Sequence, residues 1–501
     1  MADTAPLLKD RQQRLLADIA QDYRVGFGGG RLTTSAYDTG WLARVRAPWD
    51  SGQLAFPEAL DWLLSHQNAL GAWSGPFPHD ILPTMSALVA LRSVPEDLAP
   101  RCIEAAQRAQ AYLNTSLSNW NIQQYDSVGF EVQLPTLVQA LRKLGIELEV
   151  PNFNDIIDMM QAKLVRAAGA HLARGQSSLV YSLEALVTSM DHDLLPRLRS
   201  PNGHYGHSPA ATAAVLQNAR WDEQSAIWLR NLQARHDGGV PNVFAIDAFE
   251  AAWSLHFLLS ADSSLAALST CSRIVMRLRD GLDAVRGISW ATEDYFPQDS
   301  DDTGLVIAAL RLAGVPVDPL VLLRFEASDC FVCWANERNA SVSANAHVLE
   351  AFATSPNHQR YRGQIAKATR FLLAARRPDG SWLDKWHASP YYALFCAVRA
   401  LALHPDPVVR EEVRRSTDWL LKRQAEDGSW GEWGPSAEET AYAVLALTHS
   451  PTREASESLK RGQAWLEAHY LDPRPELWIG KQLYSPIRVV EAAILAALSI
   501  P

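Results

Sequence analysis

Residues 298–315 read QDSDDTGLVIAALRLAGV, which sets Asp299, Asp301 and Asp302 within four positions, directly ahead of an apolar run with helical spacing. Two readings of this crowding follow from elementary chemistry. In the first, the acids cap a helix: a helix start favours anionic side chains by about 0.3–1 kcal/mol each, Asp is a good N-cap, and all three groups are then exposed. In the second, the carboxyls share a concave, water-poor place where they cannot all ionise, so one keeps its proton at neutral pH. A protonated carboxyl in an apolar pocket is a strong, directed acid, suited to a base as poor as an alkene. The resulting cation needs surroundings that stabilise charge without attacking it, and aromatic faces supply about 2 kcal/mol per desolvated contact. Trp occurs 17 times here, more often than Phe (14) or Tyr (13).

The elements that would hold these groups are helical. WLLSHQNALGAW (62–73) and WLLKRQAEDGSW (419–430) share one template of aromatic-Leu, Gln, Gly and Trp; FLLAARRPDGSW (371–382) repeats it with Arg376 in the Gln place, and WLRNLQARHDGG (228–239) is a decayed copy. Each copy reads as a helix end running into a Gly turn, with the Gln reaching backbone groups and the Trp folding back over the helix. Further helical patterns follow, such as SAEETAYAVLALTH (436–449), and strand signals are scarce. The expected fold is all-α, two helical toroids with a boundary near the Ser-rich stretch 258–273.

Bulk properties narrow the function. Hydrophobic residues make up 48% and charged residues 20%, an ordinary globular balance. A net charge of −10 and a pI near 5.8 argue against nucleic acid as partner. No apolar leader or run of 18 apolar residues is visible, so no integral membrane contact is expected and a cytoplasmic location follows. Five cysteines, including the Cys330/Cys333 pair, read as reduced core thiols, since no second pair lies at zinc-like spacing.

Taken with TSAYDTGWLARV (34–45), VGFEVQLPTL (128–137), GGVPNVFAIDAFEAAW (238–253), ERNASVSANAHVLEAF (337–352), DKWHASPYYAL (384–394) and LWIGKQLYSPIRVV (477–490), the acidic motif and the repeats resemble the class II terpene cyclases over nearly the whole chain. The resemblance implies two α-helical double barrels, β and γ. The N-terminal helix within 1–40 would join the β domain, 41–262 would form the γ domain, and 263–501 would form the β domain with the acid motif. It also implies a prenyl diphosphate substrate, geranylgeranyl or farnesyl diphosphate, bicyclised by alkene protonation with the diphosphate kept, the farnesyl case giving a drimenyl-type product. A monomer or homodimer is expected.

Carried over by motif, Asp301 is the proton donor, Asp299 and Asp302 flank it, and Asn345 orients its proton. His347, two residues on, would point elsewhere and is read as packing. Plant members that make the ent-copalyl skeleton use a His paired through water with an Asn as final base. Here Asn242 is kept while Tyr181 replaces the His, and a neutral phenol is a poor base. The resemblance further implies Mg²⁺ with Asp126 and Glu131 as ligands, and Lys481, Lys385, Arg338 and Trp386 as substrate-binding residues.

Other readings are a toroidal glycosidase using Asp301 with a distant carboxylate, and a non-catalytic helical scaffold. A class I terpene synthase lacks its metal motifs here, NDIIDMMQ (154–161) being the nearest string. A squalene-type cyclase would be longer and carry a membrane-docking segment, and a protein prenyltransferase would need a zinc-binding Asp-x-Cys that SDC (328–330) does not fit.

Overall fold

The Gln-Trp repeats act as stitches between helices. Gln67, just past helix Pro57–Ser65, donates through Nε2 to Gly71 O at 2.9 Å and to Ala105 O at 2.8 Å in helix Ala99–Leu117, while Trp73 Nε1 reaches back to Leu63 O at 2.9 Å. Gln424 repeats this with Gly428 O at 2.9 Å and Ser458 O at 2.8 Å, joining helix Pro407–Arg423 to Arg453–His469, and Trp430 Nε1 bonds Leu420 O at 2.8 Å. Arg376, in the Gln place of the third copy, pairs with Glu412. The turns demand glycine: Gly71 and Gly428 have φ of 92° and 97°, and an added Cβ would meet Arg108 O at 2.6 Å and Arg461 O at 2.7 Å.

The computed structural model describes residues 4–22, 29–121, 127–167, 177–293, 295–334, 337 and 339–501. Among them the chain is helical apart from two small antiparallel pairs, Arg46–Ala47 with Asp50–Leu54 and Trp478–Ile479 with Leu483–Tyr484. Helices Asp247–Ala261, Ser300–Leu312, Val342–Ala353, Pro390–Leu401, Ala437–Leu447 and Ile487–Leu498 touch in a closed cycle. They are buried on nearly every face, as the centre of a ring requires. Amphipathic helices surround them, among them Ser269–Gly281, Arg362–Ala375, Pro407–Arg423 and Arg453–His469, and the N-terminal helix Thr4–Asp22 packs on Ser269–Gly281 and Ile487–Leu498. A second cycle runs through Ala36–Leu42, Ile81–Arg92, Phe130–Lys143, the 3₁₀ turns Ser178–Ala185 and Pro209–Asn218.

Each cycle has its own apolar core. One takes residues between Ala36 and Ala245; the other takes Leu15 to Leu32 and Ile246 to Ala497, with Tyr181 and Val243 reaching across. Helix Asp247–Ala261 therefore belongs to the second core, and the switch comes at 245/246, earlier than the expected boundary at 262. The Ser-rich stretch after it is polar because it caps an outer turn: Asp262 accepts from Ser264 N at 2.9 Å.

Candidate active site

Asp299 is the N-cap of helix Ser300–Leu312, its Oδ1 accepting the backbone N–H of Asp302 at 2.8 Å. The capping chemistry is thus present, but the exposure that the simple cap predicts is not: Asp299 is 2% and Asp302 6% exposed. Asp299 Oδ2 and Asp302 Oδ1 are buried without a hydrogen-bond partner among the described residues. Burial first, then the charges of Asp299 and Asp301, drive Asp302 well above the usual carboxylate range; burial and then Asp301 push Asp299 up to about 7. Both carboxyls are thus held toward their protonated forms.

Asp301 turns away from that pair. Its Oδ1 lies 2.6 Å from Nδ1 of His347, and its carboxyl opens on a cavity of about 750 Å³. On the other side of the imidazole, Nε2 lies 3.6 Å from Sγ of Cys396. With the thiol donating to Nε2, Nδ1 carries the hydrogen and donates it to Asp301. His347 is therefore the partner of the acid and not packing, as the spacing had implied. Asn345 does not take that place: its Oδ1 accepts Phe331 N–H at 2.8 Å, and its Nδ2 donates to Phe331 O at 2.9 Å and Ser341 O at 2.8 Å. Its amide is fully engaged in tying the 331 segment to helix Val342–Ala353.

The cavity draws its walls from both cores, and they are aromatic. Trp290 and Phe296 stand 4.0 Å apart, Phe249 and Trp253 4.3 Å, Phe249 and Trp478 5.3 Å, and Trp334 and Trp386 5.8 Å between ring centroids. Trp386 is thus on the wall. Lys385 is there too, with its charge met by Glu337 and its Nζ donating to Asn339 O at 2.8 Å. Arg338 and Asp126 lie outside the described residues.

Lys481 is not at the cavity surface. It is fully buried, with Nζ 2.8 Å from Glu184 Oε1, 2.6 Å from Ser208 Oγ and 3.9 Å from Asp38 Oδ1, so its charge joins the C-terminal segment to the first core. Tyr181 and Asn242 do line the cavity. The Tyr181 hydroxyl donates to the backbone carbonyl of Asn242 at 2.9 Å, and burial drives the phenol well above its ordinary range. Both amide atoms of Asn242 are buried without a partner among the described residues. They fit only because residue 480 is glycine: a Cβ there would lie 2.2 Å from Asn242 Nδ2.

Exposed cations Arg197, Arg286 and Arg324 mark the mouth, opposite in character to the buried acids. Nothing in their local sequence separates them from ordinary surface charges, and sequence reasoning missed them. Glu131, expected on a metal, is instead 3.0 Å from Lys163. Among the described residues no group of three or more His, Cys, Asp or Glu could hold a metal ion; the other expected Mg²⁺ ligand, Asp126, lies outside them. All five cysteines are free thiols, and among the described residues no helix is long and apolar enough to cross a membrane.

Known proteins resemble this chain in sequence and in fold. Residues 337–478 match the squalene-hopene cyclase C-terminal domain. The chain is 32% identical over 495 residues to the ent-copalyl diphosphate synthase of Streptomyces sp. (strain KO-3988), covering 94% of this chain and 92% of that one. It is 34% identical over 514 residues to the copalyl diphosphate synthase of Streptomyces cyslabdanicus, with the same coverage of 94% and 92%. Among solved structures, the ent-copalyl diphosphate synthase from Streptomyces platensis superposes with a TM-score of 0.82 at 31% identity, covering 99% of each chain.

Proposed function

Since the chain belongs to the class II diterpene cyclases, we propose that it protonates the terminal alkene of geranylgeranyl diphosphate and closes two rings, keeping the diphosphate, to give a bicyclic diphosphate of copalyl type. The observation that carries this reading is the Asp301–His347 pair at 2.6 Å on the wall of an aromatic cavity. His347 N–H occupies one oxygen of Asp301, which leaves the proton of the other oxygen to face the alkene. Asp299 and Asp302, both pushed toward their protonated forms by burial and by the neighbouring carboxylates, add little negative charge beside the donor. Once the proton has left, the imidazole N–H steadies the new carboxylate.

The cation then migrates among indole and phenyl faces that cannot trap it. Arg197, Arg286 and Arg324 at the mouth meet the diphosphate, which fixes the depth to which the chain enters. No step here runs through a metal ion. Tyr181 is not the terminal base: its hydroxyl hydrogen is spent on Asn242 O and its phenol is held neutral by burial. The unpartnered amide of Asn242 is a place for a water to receive the final proton.

Mass spectrometry of the dephosphorylated product, after separate incubation with geranylgeranyl diphosphate, farnesyl diphosphate and an oligosaccharide panel, tests the reading. A bicyclic C20 alcohol that disappears in Asp301→Ala supports it. Turnover of farnesyl diphosphate alone, or of a glycan, overturns it.

A further inference from the structure

Behind the cavity wall, inside the second ring, Glu438 is fully buried. Its Oε1 receives Nε1 of Trp478 at 2.8 Å, the Tyr442 hydroxyl at 3.0 Å and Nε2 of His387 at 3.1 Å, while its Oε2 has no partner among the described residues. Nδ1 of His387 lies 3.2 Å from the Ser389 backbone nitrogen and 3.1 Å from the Ser389 carbonyl oxygen; with the N–H donating to Nδ1, the imidazole hydrogen stands on Nε2. Three donors converging on one oxygen make the surroundings that suit a carboxylate. Burying such a charge is costly, and a neutral amide could accept the same bonds, so the charge itself calls for a use.

Trp478 supplies one, because its indole lines the cavity. Its ring stands 5.3 Å from Phe249 in a perpendicular arrangement and 4.6 Å from Tyr392. Phe249 is 4.3 Å from Trp253, which is 5.3 Å from His347. Aromatic faces therefore run in sequence from the partner of the acid to Trp478. An indole N–H bonded to an anion is polarised, and the density withdrawn from that bond enriches the π face that a cation sees.

We propose that Glu438 is a positioning residue for the cyclisation: through the Trp478 N–H it anchors the indole and enriches its face, so that positive charge is carried on to the second ring closure. This deepens the reading of a prenyl diphosphate cyclase and rests on it. Without that enrichment the monocyclic cation loses a proton early. The alkene has then gained one proton from Asp301 and the cation has given one to solvent, so the by-product is an isomer of the substrate with one new carbon–carbon ring bond.

The test uses the full chain with geranylgeranyl diphosphate and three variants: E438Q, which keeps size and hydrogen bonding but removes charge; W478F, which removes the N–H; and the double variant. Product ratios are read by gas chromatography, and the indole hydrogen-bond marker band by ultraviolet resonance Raman. E438Q is expected to raise the monocyclic share about tenfold and lower kcat about tenfold, with KM changed less than about twofold. In W478F the monocyclic share rises alike, and adding E438Q to it changes the ratio by less than about twofold. The Raman band of one tryptophan moves to weaker hydrogen bonding in E438Q and is missing in W478F. An unchanged product ratio in E438Q, an effect of full size on the W478F background, or an unmoved band overturns the inference. W478F with a wild-type product ratio overturns it even where E438Q does not fold. If the wild-type chain leaves geranylgeranyl diphosphate untouched, it is the cyclase reading that fails, and the Raman band still decides the coupling.

Discussion

His347 Nδ1 and Asp301 Oδ1 are 2.6 Å apart, and the same imidazole meets the Cys396 thiol through its other nitrogen. The acid is therefore oriented from helix Val342–Ala353, its neighbour in the ring, and not by its neighbours in sequence. Replacing His347 by Phe keeps a ring but removes the N–H. We expect kcat to fall about 10²- to 10³-fold with KM nearly unchanged, as removal of a group that acts on proton transfer does. Steady-state kinetics check this; a change confined to KM would contradict it.

Lys481 tests the opposite assignment. Because it is buried against Glu184 and Asp38, Lys481→Met leaves uncompensated buried charge and should destabilise the fold by about 3–5 kcal/mol in urea unfolding. The KM of the remaining folded enzyme should stay within about twofold of wild type. A raised KM at unchanged stability is what a diphosphate ligand would give instead.

The mouth cations predict the complementary kinetics. Arg197→Gln or Arg324→Gln should raise KM for the diphosphate about 3- to 10-fold while kcat and unfolding midpoint hold, since exposed groups anchor the substrate without touching the alkene. Ionic strength should weaken the wild-type KM in the same direction. Insensitivity of KM to both substitutions places the diphosphate elsewhere.

Stability should also depend on pH in a definite direction. Asp299 is raised from 3.8 to about 7, and Asp302 is raised with it. Unfolded, both ionise near 3.8; folded, they keep protons longer, so the native state binds more protons over that interval. Their contribution is fully present below the unfolded value and is lost as pH rises toward and past about 7, at up to about 1.4 kcal/mol per pH unit for each group. Urea midpoints of wild type should fall between about pH 5 and pH 8, and Asp299→Asn should flatten that slope. Parallel slopes for the two proteins contradict the account.

Much of the scaffold could be read in advance because its signals are local. The Gln, Gly and Trp of each repeat lie within one turn, so their spacing already fixes which backbone groups Gln67 and Gln424 can reach. The acid motif was legible for the same reason, being a cap and a charge cluster in one short stretch. The partner of Asp301 was not. Positions 345 and 347 lie on different sides of one helix, and which side faces the acid depends on how helices Ser300–Leu312 and Val342–Ala353 are rotated in the ring, a non-local quantity. Lys481 misled because a lysine in a hairpin is ordinarily solvated, and only the docking of the turn at 480–482 against Tyr37, Val128, Glu184 and Ser208 buries it. Glu438 was invisible too, since two of its three donors, His387 and Trp478, come from separated segments.

Deuterium incorporation tests the central claim most directly. With geranylgeranyl diphosphate in D₂O, the account predicts a bicyclic diphosphate heavier by one mass unit, the deuterium residing in the ring methylene made from the CH carbon of the terminal alkene, beside the carbon that bears the two methyl groups, with no inorganic diphosphate released and no product from Asp301→Asn. Product without deuterium, release of diphosphate, or undiminished turnover by Asp301→Asn would contradict it.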